Sequence, residues 1–177
     1  IIKARWFMDK SEHTKLVREL IDAVKAEKVQ PWNGKKVILS GIMAEPDEFL
    51  DIFSEFNIAV VADDLAQESR QYRNDVPSGI DPLEQLAQWW QDFDGCPLAM
   101  NPDKPRGQML IDMAKKYDAD AVVICMMRFC DPEEFDYPIY KVEFEKAGLR
   151  YTVVDVDLES PSLEQIRTRI QAFSEIL

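Results

Sequence analysis

Val122-Val-Ile-Cys-Met-Met-Arg-Phe-Cys130-Asp-Pro-Glu-Glu134 decides the fold. Residues 121–127 are a continuous apolar run, short enough for a strand buried on both faces. Asp131-Pro132-Glu133-Glu134 then reads as a helix start, with Asp131 as N-cap, proline at the first helical position and acids in the first turn. Cys130 is thereby placed at the carboxyl end of a strand, just ahead of a helix N-terminus. Open α/β sheets bind their ligands at such ends. The helix dipole there favours a thiolate, the form of cysteine that attacks or binds metal.

Outward from this stretch, strands and helices alternate. Upstream, residues 36–42 read as the first strand and 46–56 as a helix opened by Pro46. Residues 58–62 form the second strand, closed by Asp63-Asp64, and 65–70 continue as a polar, helix-like segment. An irregular connection over 71–82 leads to a helix over 82–93, with Leu83, Leu86, Ala87 and Trp90 at helical spacing. A proline-rich loop over 95–105 precedes a helix over 105–117 that turns Met109, Leu110, Met113 and Ala114 inward. Downstream, the helix after Cys130 runs to Ala147 with Gly148 as its C-cap, and residues 151–156 form the fourth strand. Pro161 opens a last helix with Leu163, Ile166, Ile170, Phe173 and Leu177 inward. At the start of the chain, 11–28 reads as an amphipathic helix capped by Ser11.

Strands that alternate with helices and are buried on both faces predict a doubly wound α/β fold. The expected sheet is four-stranded, parallel and flavodoxin-like (Rossmann-like), in the order 2-1-3-4 with helices on both faces. Its switch point between strands 1 and 3 sets the Ser40-Gly41 loop beside Arg128-Phe129-Cys130. Residues 1–33 are read as an N-terminal helix and linker, the remnant of a preceding domain, and 34–177 as the α/β domain.

The 177 residues carry 33 acids against 21 bases, a net charge of −12. That balance argues against nucleic acid or an anionic membrane as partner. No run of 18 apolar residues and no signal-peptide pattern occurs, so a cytoplasmic protein is expected. Ile1 stands where an initiator methionine would, which suggests a fragment of a longer chain. Three cysteines, an odd number, fit reduced thiols or metal ligands better than a disulfide framework.

Cys130 is the foremost candidate for chemistry, as nucleophile or as ligand; no base lies near it in the sequence, which disfavours the nucleophile. Cys125 in mid-strand reads as core, and the role of Cys96, in a loop, stays open. The spacings match no closed zinc site. Asp63-Asp64 follows strand 2, whereas a phosphorylation receiver needs its acid pair after strand 1. Ser40-Gly-Ile-Met-Ala-Glu45 has one hydroxyl and an acid, unlike a flavodoxin phosphate loop. Glu68 and Arg70 are close enough to pair with each other. Arg106, in the first turn of its helix, opposes the dipole and reads as an anion contact or a buried partner. His13 reads as a solvated residue. Ser40, Asp63, Asp64, Arg70 and Phe129 are candidates for lining a cleft at the strand ends.

Phe129-Cys-Asp-Pro-Glu-Glu134 with Tyr137-Pro138, Ala62-Asp-Asp-Leu65 with Glu68-Ser-Arg70, and Arg167-Thr-Arg169 with Ala172-Phe173 and Glu175 resemble the 2-hydroxyacyl-CoA dehydratase / benzoyl-CoA reductase family. The likeness covers residues 34–177. It is greatest to the C-terminal domain of beta-type subunits serving 2-hydroxyglutaryl-CoA or 2-hydroxyisocaproyl-CoA. The resemblance implies a heterodimer with an alpha-type subunit and an ATP-dependent iron–sulfur activator protein that injects one electron. It implies a 4Fe–4S cluster held by three cysteines, and removal of water from a 2-hydroxyacyl-CoA thioester through ketyl radicals to give the 2-enoyl-CoA. Cys130 matches one cluster ligand of the family. Family subunits are about twice this length, with further ligands in the other half, and where many relatives carry a cysteine after Asp-Asp-Leu this chain has Ala66. Ring reduction, as in benzoyl-CoA reductase, is the alternative outcome within the family. A non-enzymatic Rossmann-like interaction module is the alternative outside it.

Overall fold

The computed structural model describes residues 1–99, 101–157 and 162–177. They form two compact units, Ile1–Asn33 and Gly34–Leu177. In the first, a short 3-10 turn, Lys3–Trp6, precedes helix α1, Lys10–Ala26. Asp9 rather than Ser11 caps it. The Asp9 carboxylate accepts the N–H groups of Ser11 and Glu12 at 2.9 and 3.2 Å, satisfying donors the helix itself leaves free.

In the second unit, β1 (Lys35–Gly41), α2 (Asp47–Glu55) and β2 (Ile58–Leu65) are followed by a 3-10 turn at Ser69–Gln71. Helices α3 (Pro82–Gln91) and α4 (Arg106–Lys116) come next. Then follow β3 (Ala121–Met127), α5 (Asp131–Ala147), β4 (Arg150–Val156) and α6 (Leu163–Ser174). The four strands are parallel and ordered β2-β1-β3-β4, the doubly wound arrangement that the alternation predicts. Pro161, expected to open the last helix, lies outside the described residues.

Side chains alternate across a strand, so one run of sequence fills two cores. Val37, Leu39, Val123, Cys125 and Val154 point under α2 and α6, against Phe49, Ile52, Phe53, Ile166, Ile170 and Phe173. Ile38, Val122, Ile124 and Met126 point the other way, against Leu110, Ile111 and Ala114 of α4 and Tyr140 and Phe144 of α5. Fully burying one such side chain stabilises the fold by roughly 1.5–3 kcal/mol. Gly107 lets α4 press onto α5: a Cβ there would meet the Cβ of Tyr140 at 2.8 Å and overlap the Glu143 carboxylate. Gly148 caps α5 at φ 68°, the left-handed conformation expected of it.

Two further expectations need correction, and one helical stripe meets no core. Strand β2 does not end at Ala62. It carries Asp63 and Asp64 into the sheet, opposite Leu39 and Ser40, because pairing with β1 continues to Leu65. Within that pairing Val37 faces Val60 and Ile38 faces Ala62, so Val61 is the extra residue of a β-bulge. At α5, Cys130 itself takes the N-cap position, leaving Asp131 and Pro132 as the first two helical residues. Helix α3 buries no side chain: Leu83 and Trp90 are 77% and 67% exposed, and Trp90 stacks on Phe93 instead. Helical spacing alone does not say what a helix packs against.

Candidate functional site

The carboxyl ends of β1, β2 and β3 converge on a buried ionic cluster. Ser40, near the end of β1, donates its hydroxyl to Asp64 Oδ2 at 3.1 Å and accepts from Arg106 Nη2 at 2.9 Å. Asp64 accepts from Arg70 at 3.1–3.2 Å through both of its oxygens, and pairs with Arg73 as well. Arg70 also donates to the carbonyls of Gly41 and Asp64 at 2.9 and 2.8 Å. Arg106, the first residue of α4, donates to Glu133 Oε1 at 2.9 Å, and its Nε lies 3.5 Å from Asp64 Oδ2. Ser40, Asp64 and Glu133 are fully buried, and Arg70 and Arg106 nearly so.

Charges are buried at a cost of several kcal/mol each unless paired and hydrogen-bonded, which explains the density of contacts here. Burial works against the Arg106 charge, but Glu133 and Asp64 outweigh it and hold its pKa above the ordinary arginine value. Of the two readings open for Arg106, buried partner or anion contact, the geometry shows the first. Arg70 turns inward to Asp64, where pairing with Glu68 was expected, because its guanidinium fork reaches carboxylate and strand-end carbonyls together.

The chain leaves β3 through Arg128, Phe129 and Cys130. Phe129 has φ 63°, a left-handed conformation uncommon for an aromatic residue, and is 92% exposed. Cys130 is partly exposed. Its N–H donates to Met127 O at 3.2 Å, and its carbonyl accepts the Glu134 N–H at 3.0 Å. Cys125, five residues earlier, is fully buried; burial, then the charge of Glu133, pushes its thiol pKa up, as befits a core residue. Cys96 is partly buried in the connection between α3 and α4.

Of the sequence-predicted site residues, the fold therefore brings Ser40, Asp64 and Arg70 together. They are enclosed, and so make a floor beneath the strand ends instead of a solvent-open cleft lining. Asp63 points away from them. Its carboxylate accepts the N–H groups of Leu65 and Ser69, both at 3.0 Å, and so shapes the turn after β2. Phe129 and Cys130 stand at the surface. Sequence reasoning missed Glu133 and Arg73. The first reads as one more acid in a helix first turn, and the second carries no local signal. Among the described residues no group of three or more His, Cys, Asp or Glu side chains is placed to hold a metal ion. Among those residues, too, no helix is long and apolar enough to cross a membrane.

Comparison with known proteins bears on this arrangement. A family model described as "2-hydroxyglutaryl-CoA dehydratase, D-component" matches residues 1–177. The chain is 54% identical over 178 residues to lactoyl-CoA dehydratase subunit beta of Anaerotignum propionicum, covering all of this chain and 48% of that protein. It is 45% identical to the (R)-phenyllactyl-CoA dehydratase beta subunit of Clostridium sporogenes, covering all of this chain and 47% of that protein. It is 30% identical to (R)-2-hydroxyglutaryl-CoA dehydratase, subunit beta, of Acidaminococcus fermentans, again over all of this chain and 48% of that protein. The chain thus spans about half the length of the curated relatives it matches.

Proposed function

This chain belongs to the 2-hydroxyglutaryl-CoA dehydratase D-component family, and on that premise we propose that it is part of the beta-type subunit of a cytoplasmic 2-hydroxyacyl-CoA dehydratase. The enzyme removes water from an (R)-2-hydroxyacyl-CoA to give the 2-enoyl-CoA. It works as a heterodimer with an alpha-type subunit, through ketyl radicals, after one-electron activation by an ATP-dependent activator protein. Cys130 supplies one thiolate to a 4Fe–4S cluster, and the other ligands come from residues outside this chain. When bound, the cluster supplies one-electron chemistry.

The observation that carries this reading is the position of Cys130: partly exposed, after the carboxyl end of β3 and at the N-cap of α5, whose first turn holds the buried Glu133. A ligand thiolate needs a fixed position, and the Cys130 backbone is held on both sides, its N–H by the Met127 carbonyl and its carbonyl by the Glu134 N–H. Phe129, exposed beside it, offers apolar surface that excludes water once another chain or domain covers the strand ends.

The test is anaerobic reconstitution of the complete subunit, as its gene encodes it, with iron and sulfide. Cys130→Ala is expected to lose the brown 4Fe–4S absorbance of the wild type; full retention overturns the ligand assignment. The reaction itself is tested with the heterodimer, activator and ATP on a panel of 2-hydroxyacyl-CoA thioesters. Lactoyl-CoA comes first, since the relative named for it is 54% identical. Formation of no enoyl-CoA from any of them refutes the dehydratase reading.

A further inference from the structure

On the reading of this chain as part of a beta-type subunit, we propose that the exposed stripe of α3 and the cleft beside it seat the other half of the same subunit. That half comprises the residues outside Ile1–Leu177. The role asks nothing of Cys130 or of the reaction.

The partly buried residues of α3 are Gln85 and Trp89, four apart and so on one face. The Trp89 indole N–H donates to the Asn74 carbonyl at 3.0 Å. Leu83, Leu86 and Trp90 form a stripe on a different face, and all three are exposed. The segment is nonetheless fastened. Arg73, paired with Asp64 of the buried cluster, also donates to the Asp94 carbonyl just past the helix. The Asn74 side chain donates to the Asp92 carbonyl. Gly95 lies so near Met109 of α4 that a Cβ would meet its sulfur at 2.7 Å. The apolar stripe is thus held outward by specific bonds.

Beyond the helix the apolar surface continues. Trp90 stacks on Phe93, and the two border a cleft of about 460 Å3 that Leu98, Ala99 and Pro102 also line. Apolar residues scattered singly over a surface need no partner, but a contiguous group marks an interface. The composition agrees. Helix α3 has one charged residue in ten, Glu84, where the whole chain is 31% charged. Interface cores are poor in charge and rich in aromatic rings. Length and charge choose the occupant. The chain covers 48% of the relative to which it is 54% identical, so about half of a subunit of that length lies outside it. A covalent tether presents that half at high effective concentration, whereas a separate protein gives up its translational freedom to reach the same patch. A second copy brings another net charge of −12 against the first.

The experiment is photo-crosslinking in the complete subunit as its gene encodes it, with Leu86→p-benzoylphenylalanine as the probe. Irradiation is expected to give a product of monomer size whose crosslinked peptide lies outside residues 1–177. A second measurement leaves the sequence unaltered. Under hydroxyl-radical footprinting of the monomeric subunit, Leu83 and Trp90 are expected to oxidise roughly tenfold more slowly than in urea, as side chains that become about 95% buried. A product of dimer size, a crosslink formed only to an added alpha-type subunit, or a crosslink back into residues 1–177 each overturns the proposal. So does oxidation of Trp90 at the unfolded rate. Any of these with enoyl-CoA still formed by the heterodimer leaves the dehydratase reading intact. Loss of enoyl-CoA formation with the expected crosslink in place does the reverse.

Discussion

On the α2/α6 side of the sheet, the fully buried strand side chains, Val37, Leu39, Val123, Cys125 and Val154 among them, are apolar. On the α4/α5 side, Ile38, Val122 and Ile124 give way at the carboxyl end to Ser40 and Asp64, with Arg70, Arg106 and Glu133 closing over them. Both sides exclude water equally well, and burial alone does not distinguish them. What differs is the nature of the constraint. Apolar contacts fix volume and tolerate small shifts, whereas a forked guanidinium fixes direction as well. The directional half of the sheet is the half against which α5, with Cys130 at its N-cap, packs.

That contrast can be broken experimentally. The largest effect is expected from Asp64→Ala, which leaves the buried Arg70 and the partly buried Arg73 without their carboxylate; roughly 3–5 kcal/mol of stability should be lost. Denaturant unfolding with an unchanged m-value measures it, and a loss under about 1 kcal/mol would mean that water enters the cluster. On the apolar side, Ile170→Val removes one buried methylene and should cost about 0.5–1.5 kcal/mol by the same assay. The smallest change is expected where both sides are made alike. Arg106→Met combined with Glu133→Leu should stay within about 1 kcal/mol of the wild type, although either change alone costs several. If the pair of changes proves as damaging as the single ones, the cluster is a stability device after all.

Much of the scaffold is legible in the sequence because it is written locally. The run from Ala121 to Met127 gives strand β3 to the residue, and Gly148 marks the end of α5. The strand order follows from the alternation of elements and the handedness of their connections. The cluster is another matter. Asp64 finds its partners at positions 70, 73 and 106, and Arg106 finds Glu133 across 27 residues. No periodicity encodes such pairings. Arg106 left one trace, a cation in the first turn of a helix, where the dipole disfavours it. Glu133 left none, since an acid in a first turn needs no explanation. Leu83, Leu86 and Trp90 illustrate the converse: a clear helical stripe whose residues find no buried place in this structure.

The bulge at Val61 has a consequence that reaches the cluster. Strand side chains obey parity, and one additional residue inverts it for everything downstream. Ahead of Val61, Ile58 belongs to the α2/α6 core; beyond it, Ala62 packs with the α4/α5 core and Leu65 with the other. The adjacent acids Asp63 and Asp64 are thus the two phases of one strand, and the bulge selects which of them meets the arginines. A regular strand that kept Val61 in the ladder would present Asp63 to Arg70 and Arg106 and turn Asp64 toward the hydrocarbon of the opposite layer, whereas deleting Val61 would leave Asp64 opposite Ser40.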